Sequence, residues 1–302
     1  SQAIESIRNT EKLLIKTNFG SIDGFAGGLT RGEITIVGGR PGHGKSTMLL
    51  NLLSNILASR RKVILFNREL TNVEVLKKLL ALESGRLSYS MIRQGMYDTK
   101  QLQELDRVRE YISKKYDPKH FRMYDKIRDF PASATEIKKF KPDIVFIDYL
   151  NICASSRFKG GNIGSYFYIK AIAEELRGLA VEYNIPVFSA TQTTRGGFVS
   201  SDVGMEDTAE SFGLPATADF MFALISSEEL EQKNQILIKQ LKNRYNDPTV
   251  NRKFIVGVDR SKMRLYDVEQ KAQEDLVDTG QEDQLSTSNK FKKLGEFSDF
   301  KI

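Results

Sequence analysis

Three observations predict an α/β fold: a mainly parallel central sheet with helices on both faces, followed by a C-terminal β-hairpin. Short apolar runs at Ile34–Val37, Lys62–Asn67, Asp143–Asp148 and Val187–Ala190 alternate with helix-like segments, as buried parallel strands joined by crossovers do. After the first run stands Gly39-Arg40-Pro41-Gly42-His43-Gly44-Lys45-Ser46, spaced G-x-x-x-x-G-K-[ST] and opening a helix-like run. Nearer the C-terminus, Gln235–Leu241 and Arg252–Val258 alternate like hairpin arms across Asn243-Arg244-Tyr245-Asn246-Asp247-Pro248.

In chain order, residues 1–17 read as a polar helix with apolar positions at Ile4, Ile7, Leu13, Leu14 and Ile15, too thin a stripe to fold unaided. Asn18 to Gly32 holds Gly20, Gly24, Gly27, Gly28 and Gly32 and reads as turns leading to the first core strand. Thr47–Leu53 continues the helix after the glycine-rich turn, and Lys62–Asn67 is the next strand. Residues 71–83 and 99–116 follow helical periods, the second so charged that its charges read as a solvated face. Phe121–Tyr124 reads as a strand, Ala134–Phe140 as a short helix, and Asp143–Asp148 as a buried strand. A glycine-rich loop over 151–165 precedes a helix from Tyr166 to Tyr183. The strand Val187–Ala190 then gives way to a second loop running through Gly204. Ala218–Ile225, the hairpin and residues 262–267 complete the strands. From Gln270 the chain turns polar and reads as a disordered tail. The expected division is a linker helix at 1–17, one α/β domain at 18–268 and a flexible tail at 269–302.

The glycine-rich segment implies a bound nucleoside triphosphate. Its glycines let successive N–H groups converge, and the positive end of the following helix adds to the field they make. The cradle comprises Gly39, Arg40, Pro41, Gly42, His43, Gly44, Lys45, Ser46 and Thr47, with Lys45 reaching the β- and γ-phosphates and the Ser46 hydroxyl placed for Mg²⁺. Asp148 ends an apolar strand, where a carboxylate that holds the metal shell belongs. Glu69 ends the strand after the phosphate-loop helix and can orient or deprotonate the attacking water, while Gln192 closes another strand and can sense the γ-phosphate. Lys242 and Arg244 stand two apart on the hairpin and would share one strand face. Each has a plainer alternative: a surface turn, a structural aspartate, a surface glutamate, a capping amide, solvated hairpin charge. Their combination in one chain is what favours the site.

Composition sets the outer bounds. The 302 residues carry 45 Lys and Arg against 39 Asp and Glu, a net charge of +6, which permits a polyanionic partner without requiring one. Cys153 is the single cysteine, which excludes an internal disulfide and cysteine-based zinc sites. The two histidines, His43 and His120, are too few for a histidine-rich metal centre. No apolar run approaches the length of a membrane span and no signal peptide precedes the first strand, so the expected location is the cytoplasm, with no membrane partner. A chain starting at Ser1 reads as a fragment or a processed form.

Taken together, these residues resemble the hexameric replicative DNA helicases of the DnaB type, phage relatives included, over roughly residues 17 to 268. The resemblance rests on Gly28-Leu29-Thr30-Arg31-Gly32-Glu33 before the first strand, Gly39–Ser46, Phe66-Asn67-Arg68-Glu69-Leu70, Ile147-Asp148-Tyr149-Leu150, Ser189-Ala190-Thr191-Gln192 with Arg195, Asp207 with Glu210-Ser211, and Lys239-Gln240-Leu241-Lys242-Asn243-Arg244. It implies a RecA-like P-loop NTPase core and ATP-driven translocation along single-stranded DNA threaded through a homohexameric ring. It further implies ATP, or another nucleoside triphosphate, and Mg²⁺ at a site shared between subunits. On this likeness Glu69 is the catalytic glutamate, Arg244 the arginine finger and Lys242 its companion. The loops at 151–165 and 195–211 would face the DNA, with Arg157, Lys159, Arg195 and Glu210 as candidate contacts. Subunits would meet near Arg244 and residues 1–17, and the candidate partners are a primase, a helicase loader and a polymerase. If the chain is phage-encoded, its cytoplasm is the host's.

The sequence departs from the family where Ala209 replaces the usual arginine and Phe212 the usual glycine. The N-terminal domain that such helicases use for ring stability and primase contact has no counterpart in these residues, so a monomer or a loose ring is expected in solution. Phe291, Phe297 and Phe300 on the charged tail read as a hook for a replication partner or as a plain unstructured end. Two further functions compete with the helicase: a strand-exchange recombinase or regulatory ATPase on the same core, and a non-catalytic nucleotide-binding loader.

Overall fold

The computed structural model describes residues 14–150, 153–158, 165–192, 213–244 and 253–268. Among these, nine strands form one sheet, and each apolar run of the sequence becomes a strand of it. In chain order the elements are α1 (Gly20–Ala26), β1 (Ile34–Gly39), α2 (Lys45–Ala58), β2 (Val63–Asn67), α3 (Asn72–Ser84), α4 (Tyr89–Gln94), α5 (Thr99–Lys115), β3 (Phe121–Tyr124), α6 (Phe130–Phe140), β4 (Ile144–Asp148), α7 (Ser165–Glu182), β5 (Val187–Gln192), α8 (Gly213–Thr217), β6 (Phe220–Ile225), α9 (Glu228–Gln232), β7 (Gln235–Asn243), β8 (Lys253–Asp259) and β9 (Arg264–Asp267). The strands lie in the order β3-β2-β4-β5-β1-β6-β7-β8-β9. The first six run parallel, and β7, β8 and β9 follow antiparallel.

Because side chains alternate across a strand, each parallel strand supplies two cores. Val63 and Leu65 of β2, with Ile144 and Phe146 of β4, pack beneath α2 and α3, beside Met48, Leu52 and Leu79. Ile64 and Phe66, with Val145 and Ile147, face the other way, against α6 and α7, among Phe130, Ile137, Ile172 and Leu176. Nearly every residue of these strands is buried on one side or the other, which is why they read as unbroken apolar runs.

The structure departs from the sequence reading at four places. Residues 14–17, expected to be helical, are extended: Ile15 pairs with Leu29 in an antiparallel bridge and is buried in the first core. Within the turn-rich stretch lies helix α1, whose Gly20 and Ser21 amides donate to the Asp267 carboxylate while Gly27 ends it in a left-handed conformation. Those partners come from the far end of the chain, so no local pattern announces them. Helix α6 begins at Phe130, ahead of Ala134, because the Asp129 carboxylate caps it and Pro131 sits in the first turn, where its missing N–H costs nothing. The short helices α4, α8 and α9 had no sequence assignment at all. The expected N-terminal helix over 1–13 and the tail from 269 lie outside the described residues. Among the described residues, no helix is long and apolar enough to cross a membrane.

Candidate nucleotide-binding site

Strand β1 delivers the chain to Gly39 at the sheet's C-terminal edge, and the loop to α2 turns through Gly42 (φ 82°) and Gly44 (φ 90°). A side chain at either position would be strained, so the motif's glycines are demanded by backbone geometry. Lys45, the first residue of α2, folds back over the loop. Its Nζ donates to the carbonyls of Gly39 (2.8 Å) and Arg40 (2.9 Å), using two of its three donors. Lys45 is only 9% exposed. Burial lowers its pKa, and the Glu69 and Asp148 carboxylates oppose that shift. His43 is tied to the Leu224 carbonyl at the end of β6, while its Nδ1 is buried without a partner.

The neighbouring strands bring the acids to this loop. In the parallel register Asn67 of β2 lies opposite Asp148 of β4, and Gly39 of β1 opposite Gln192 of β5. Asp148 is 5% exposed and accepts a hydrogen bond from the Ser46 hydroxyl. Burial raises its pKa to about 6, with a further push from Glu69; Ser46, Lys78 and Lys45 pull it back. Glu69 sits one turn beyond β2. Buried Asn67 closes that turn with both ends of its amide, donating to the Leu70 carbonyl and accepting from the Leu70 N–H. Glu69 is left exposed, facing the loop.

A cleft of about 390 Å³ opens over the phosphate loop and includes Lys45, Ser46, Thr47, Glu69 and Gln192, together with Pro41, Gly42 and Gly44. Gly39, Arg40 and His43 back the loop rather than line the cleft. Sequence reasoning missed Lys78 of α3, which lines the cleft and helps hold Asp148 charged. It also missed a wall of Ile236, Val258, Arg260 and Met263. Asn51 of α2 seats that wall, donating to the Met263 carbonyl and accepting from the Leu265 N–H. These contacts join residues some two hundred positions apart, beyond the reach of a local motif.

The other sequence candidates lie elsewhere. Lys242 and Arg244 are together, as their spacing suggested, but at the opposite edge of the sheet from the phosphate loop. Arg244 pairs with the wholly buried Asp219 (2.9 Å), which also receives Arg177 of α7 (2.7 Å) and the Ile34 N–H (3.0 Å) at the start of β1. Lys242 donates to the carbonyls of Pro215 and Ala216 in α8. Arg157 pairs with Glu174 of α7, next to Glu175, which holds the hydroxyls of Ser155 and Ser156. Lys159, Arg195 and Glu210 lie outside the described residues.

An Mg²⁺ ion fits the donors present, because a hydroxyl and a carboxylate already in mutual contact are the hard oxygen ligands that ion takes. The raised pKa of Asp148 has a measurable consequence. Its folded value of about 6 exceeds the ordinary 3.8, so between those values the folded chain binds more protons than the unfolded one. Stability is therefore lost as pH rises through that window, by about 3 kcal/mol. Asp148→Asn is expected to raise the Tm of the nucleotide-free protein by several degrees near neutral pH and to leave it unchanged well below pH 4. Mg²⁺-dependent nucleotide binding should weaken in the wild type as pH falls through about 6. A variant melting no higher than wild type near neutrality would contradict the burial cost.

Comparison with known proteins gives a consistent result. The sequence model of the DnaB-like helicase C-terminal domain family matches residues 15–261. A DnaB-like replicative helicase of Enterobacteria phage T4 is 35% identical over 256 residues, covering 81% of this chain and 52% of that protein. The replicative DNA helicase DnaB of Treponema pallidum is 29% identical over 240 residues, 77% of this chain and 53% of its own length. The chain thus spans about half the length of the curated relatives it matches. Among solved structures, an isolated ATPase domain superposes with a TM-score of 0.78 at 18% identity, over 89% of this chain and 96% of that one. A DnaB-like replicative helicase, described with its interactions with primase, superposes with a TM-score of 0.77 at 18% identity, over 88% of this chain and 66% of that one. The structural likeness carries the RecA-like ATPase fold.

Proposed function

Since this chain belongs to the DnaB-like helicase C-terminal domain family, we propose that it is the ATP-hydrolysing motor of a replicative DNA helicase, which moves along single-stranded DNA as a homohexameric ring and unwinds duplex. The observation that carries the reading is the division of the site's charges between two edges of one sheet. Ile236, early in β7, lines the cleft, whereas Lys242 lies six residues further along that strand. At the rise of an extended chain that is about 20 Å, too far for Lys242 or Arg244 to reach a phosphate on their own loop. A second copy brings them within range.

In this arrangement Lys45 and the loop amides hold the phosphates of ATP. Ser46 and Asp148 hold Mg²⁺, which supplies positive charge to the phosphoryl oxygens when bound. Glu69 orients and deprotonates the attacking water, and Gln192 senses the γ-phosphate from the adjacent strand. Arg244 and Lys242 of the neighbouring copy face the charge that develops on the transferred group. Loss of the γ-phosphate removes what those cations hold, so the seam loosens and the subunits shift. Arg157, Lys159, Arg195 and Glu210 belong to the DNA-facing surface, which grips the strand through phosphates without reading sequence. Residues 14–268 are the motor, since Ile15 and Thr17 are built into its core, 1–13 the linker that docks on the next subunit, and 269–302 a tail for a replication partner, with primase, loader and polymerase as candidates. The working compartment is the cytoplasm, the host's if the gene is a phage's.

The test is particle mass in ATP, Mg²⁺ and oligo(dT), followed by unwinding of a forked duplex. Hexamers that form on the strand and open the fork are expected. Full-rate hydrolysis by a lone subunit indifferent to DNA would overturn the reading, and assembly without unwinding would favour a recombinase.

A further inference from the structure

Next to Glu69 in the chain is a residue that the proposed mechanism leaves unused. Arg68 is 3% exposed, and no carboxylate pairs with it among the described residues. Strand parity sends it the opposite way from Asn67: it follows Ile64 and Phe66 through the sheet to the core beneath α6 and α7. There its guanidinium lies near the rings of Phe66 (5.8 Å) and Phe130 (5.9 Å). Nε donates to the Ile127 carbonyl (3.0 Å) and Nη2 to the Ser133 hydroxyl (3.1 Å). Nη1 has no hydrogen-bond partner; the Cys153 thiol lies beside the guanidinium, and at longer range the Asp129 carboxylate attracts it while Arg128 repels it. Burial pushes that thiol up to about 11, so near neutral pH it supplies no countercharge. Taking a guanidinium out of water on these terms is costly, and a leucine would pack among the same rings without that cost.

The position makes sense through what it joins. The Arg68 main-chain N–H donates to the Asp148 carbonyl (2.8 Å), and the next residue is Glu69. On the far side, the segment that receives the guanidinium pairs with the chain leaving β4: the Ala154 N–H donates to the Arg128 carbonyl (2.9 Å), and Asp129 bridges to Ala154. Residues 155–157 continue from there and are held by Glu174 and Glu175. We infer that Arg68 is a positioning residue that crosses the sheet and mechanically joins the Glu69 turn on the nucleotide side to the 153–158 segment on the other, so that nucleotide occupancy is transmitted to that segment. The inference rests on the proposed nucleotide site and adds a residue that touches neither nucleotide nor DNA.

The test uses the full chain with AMP-PNP and Mg²⁺ as the probe. In the wild type, AMP-PNP binding is expected to change hydrogen exchange of the 153–158 amides. In Arg68→Met, AMP-PNP affinity should stay within about threefold of wild type while that response disappears, and stimulation of kcat by oligo(dT) should fall at least about tenfold with KM little changed. Arg68→Lys, which keeps the charge on a single donor nitrogen, should restore part of both. Should Arg68→Met fail to fold, Ser133→Ala removes a single partner and should give an intermediate loss in the exchange response. A normal response in Arg68→Met or, failing that, in Ser133→Ala overturns the inference while leaving the nucleotide site intact. Wild type that binds AMP-PNP without any change at 153–158 does the same. Failure of the wild type to bind AMP-PNP would remove the nucleotide site itself, and the inference with it.

Discussion

Lys45→Ala is expected to abolish ATP hydrolysis, basal and DNA-stimulated, with a loss of at least about 10³ in turnover. The ammonium is the one buried cation at the head of α2, and it is held by loop carbonyls that fix its direction. Replacing it removes the charge set against the β- and γ-phosphates, and no other group in the loop substitutes for it. The fold should survive. Of the two carbonyls that lose their partner, that of Arg40 is only part-buried while that of Gly39 is buried at the end of β1, so the cost in stability is modest, and α2 keeps its apolar face in the first core. Tm within a few degrees of wild type, alongside absent turnover, is therefore the expected pair of measurements. Normal turnover in this variant would remove the phosphate loop from the mechanism.

The second large effect concerns Arg244. Arg244→Ala is expected to lower DNA-stimulated turnover by about 10³ while ATP binding stays within about threefold, because the finger meets charge that develops only as the bond breaks. The variant is interpretable because Asp219 would not be orphaned: Arg177 still pairs with it at 2.7 Å and the Ile34 N–H still donates to it. A buried carboxylate stripped of every partner would unfold the edge of the sheet; this one keeps two. Mixing then tests the shared site. Equal amounts of Lys45→Ala and Arg244→Ala protein, each inactive alone, should regain turnover at about one interface in four, where an intact loop faces an intact finger. No recovery in mixed rings, or full activity of Arg244→Ala alone, would show that the site is complete within one chain.

Much of the site was legible as sequence because its parts are local. Glycine spacing, the lysine that opens a helix, and acids or amides at strand ends are set within a few residues of one another. Parallel strands buried on both faces leave unbroken apolar runs, and that pattern also placed Glu69, Asp148 and Gln192 at one edge. Helix α1 was misread because its caps come from Asp267 and its glycines suggested turns. The wall of Ile236, Val258 and Met263 had no signal, since hairpin register and a contact from Asn51 bring it to the loop.

The sequence alone determined the α/β fold, the phosphate loop and the family to which the chain belongs, because backbone geometry and strand periodicity are written over short spans. Only the tertiary structure decided which functional groups share a site. Sheet order and strand direction put Lys242 and Arg244 at the edge away from the glycine-rich loop of their own chain, and strand parity turned Arg68 away from Glu69 into the opposite core. Both outcomes depend on long-range pairing, whose energies come from contacts between residues far apart in the chain.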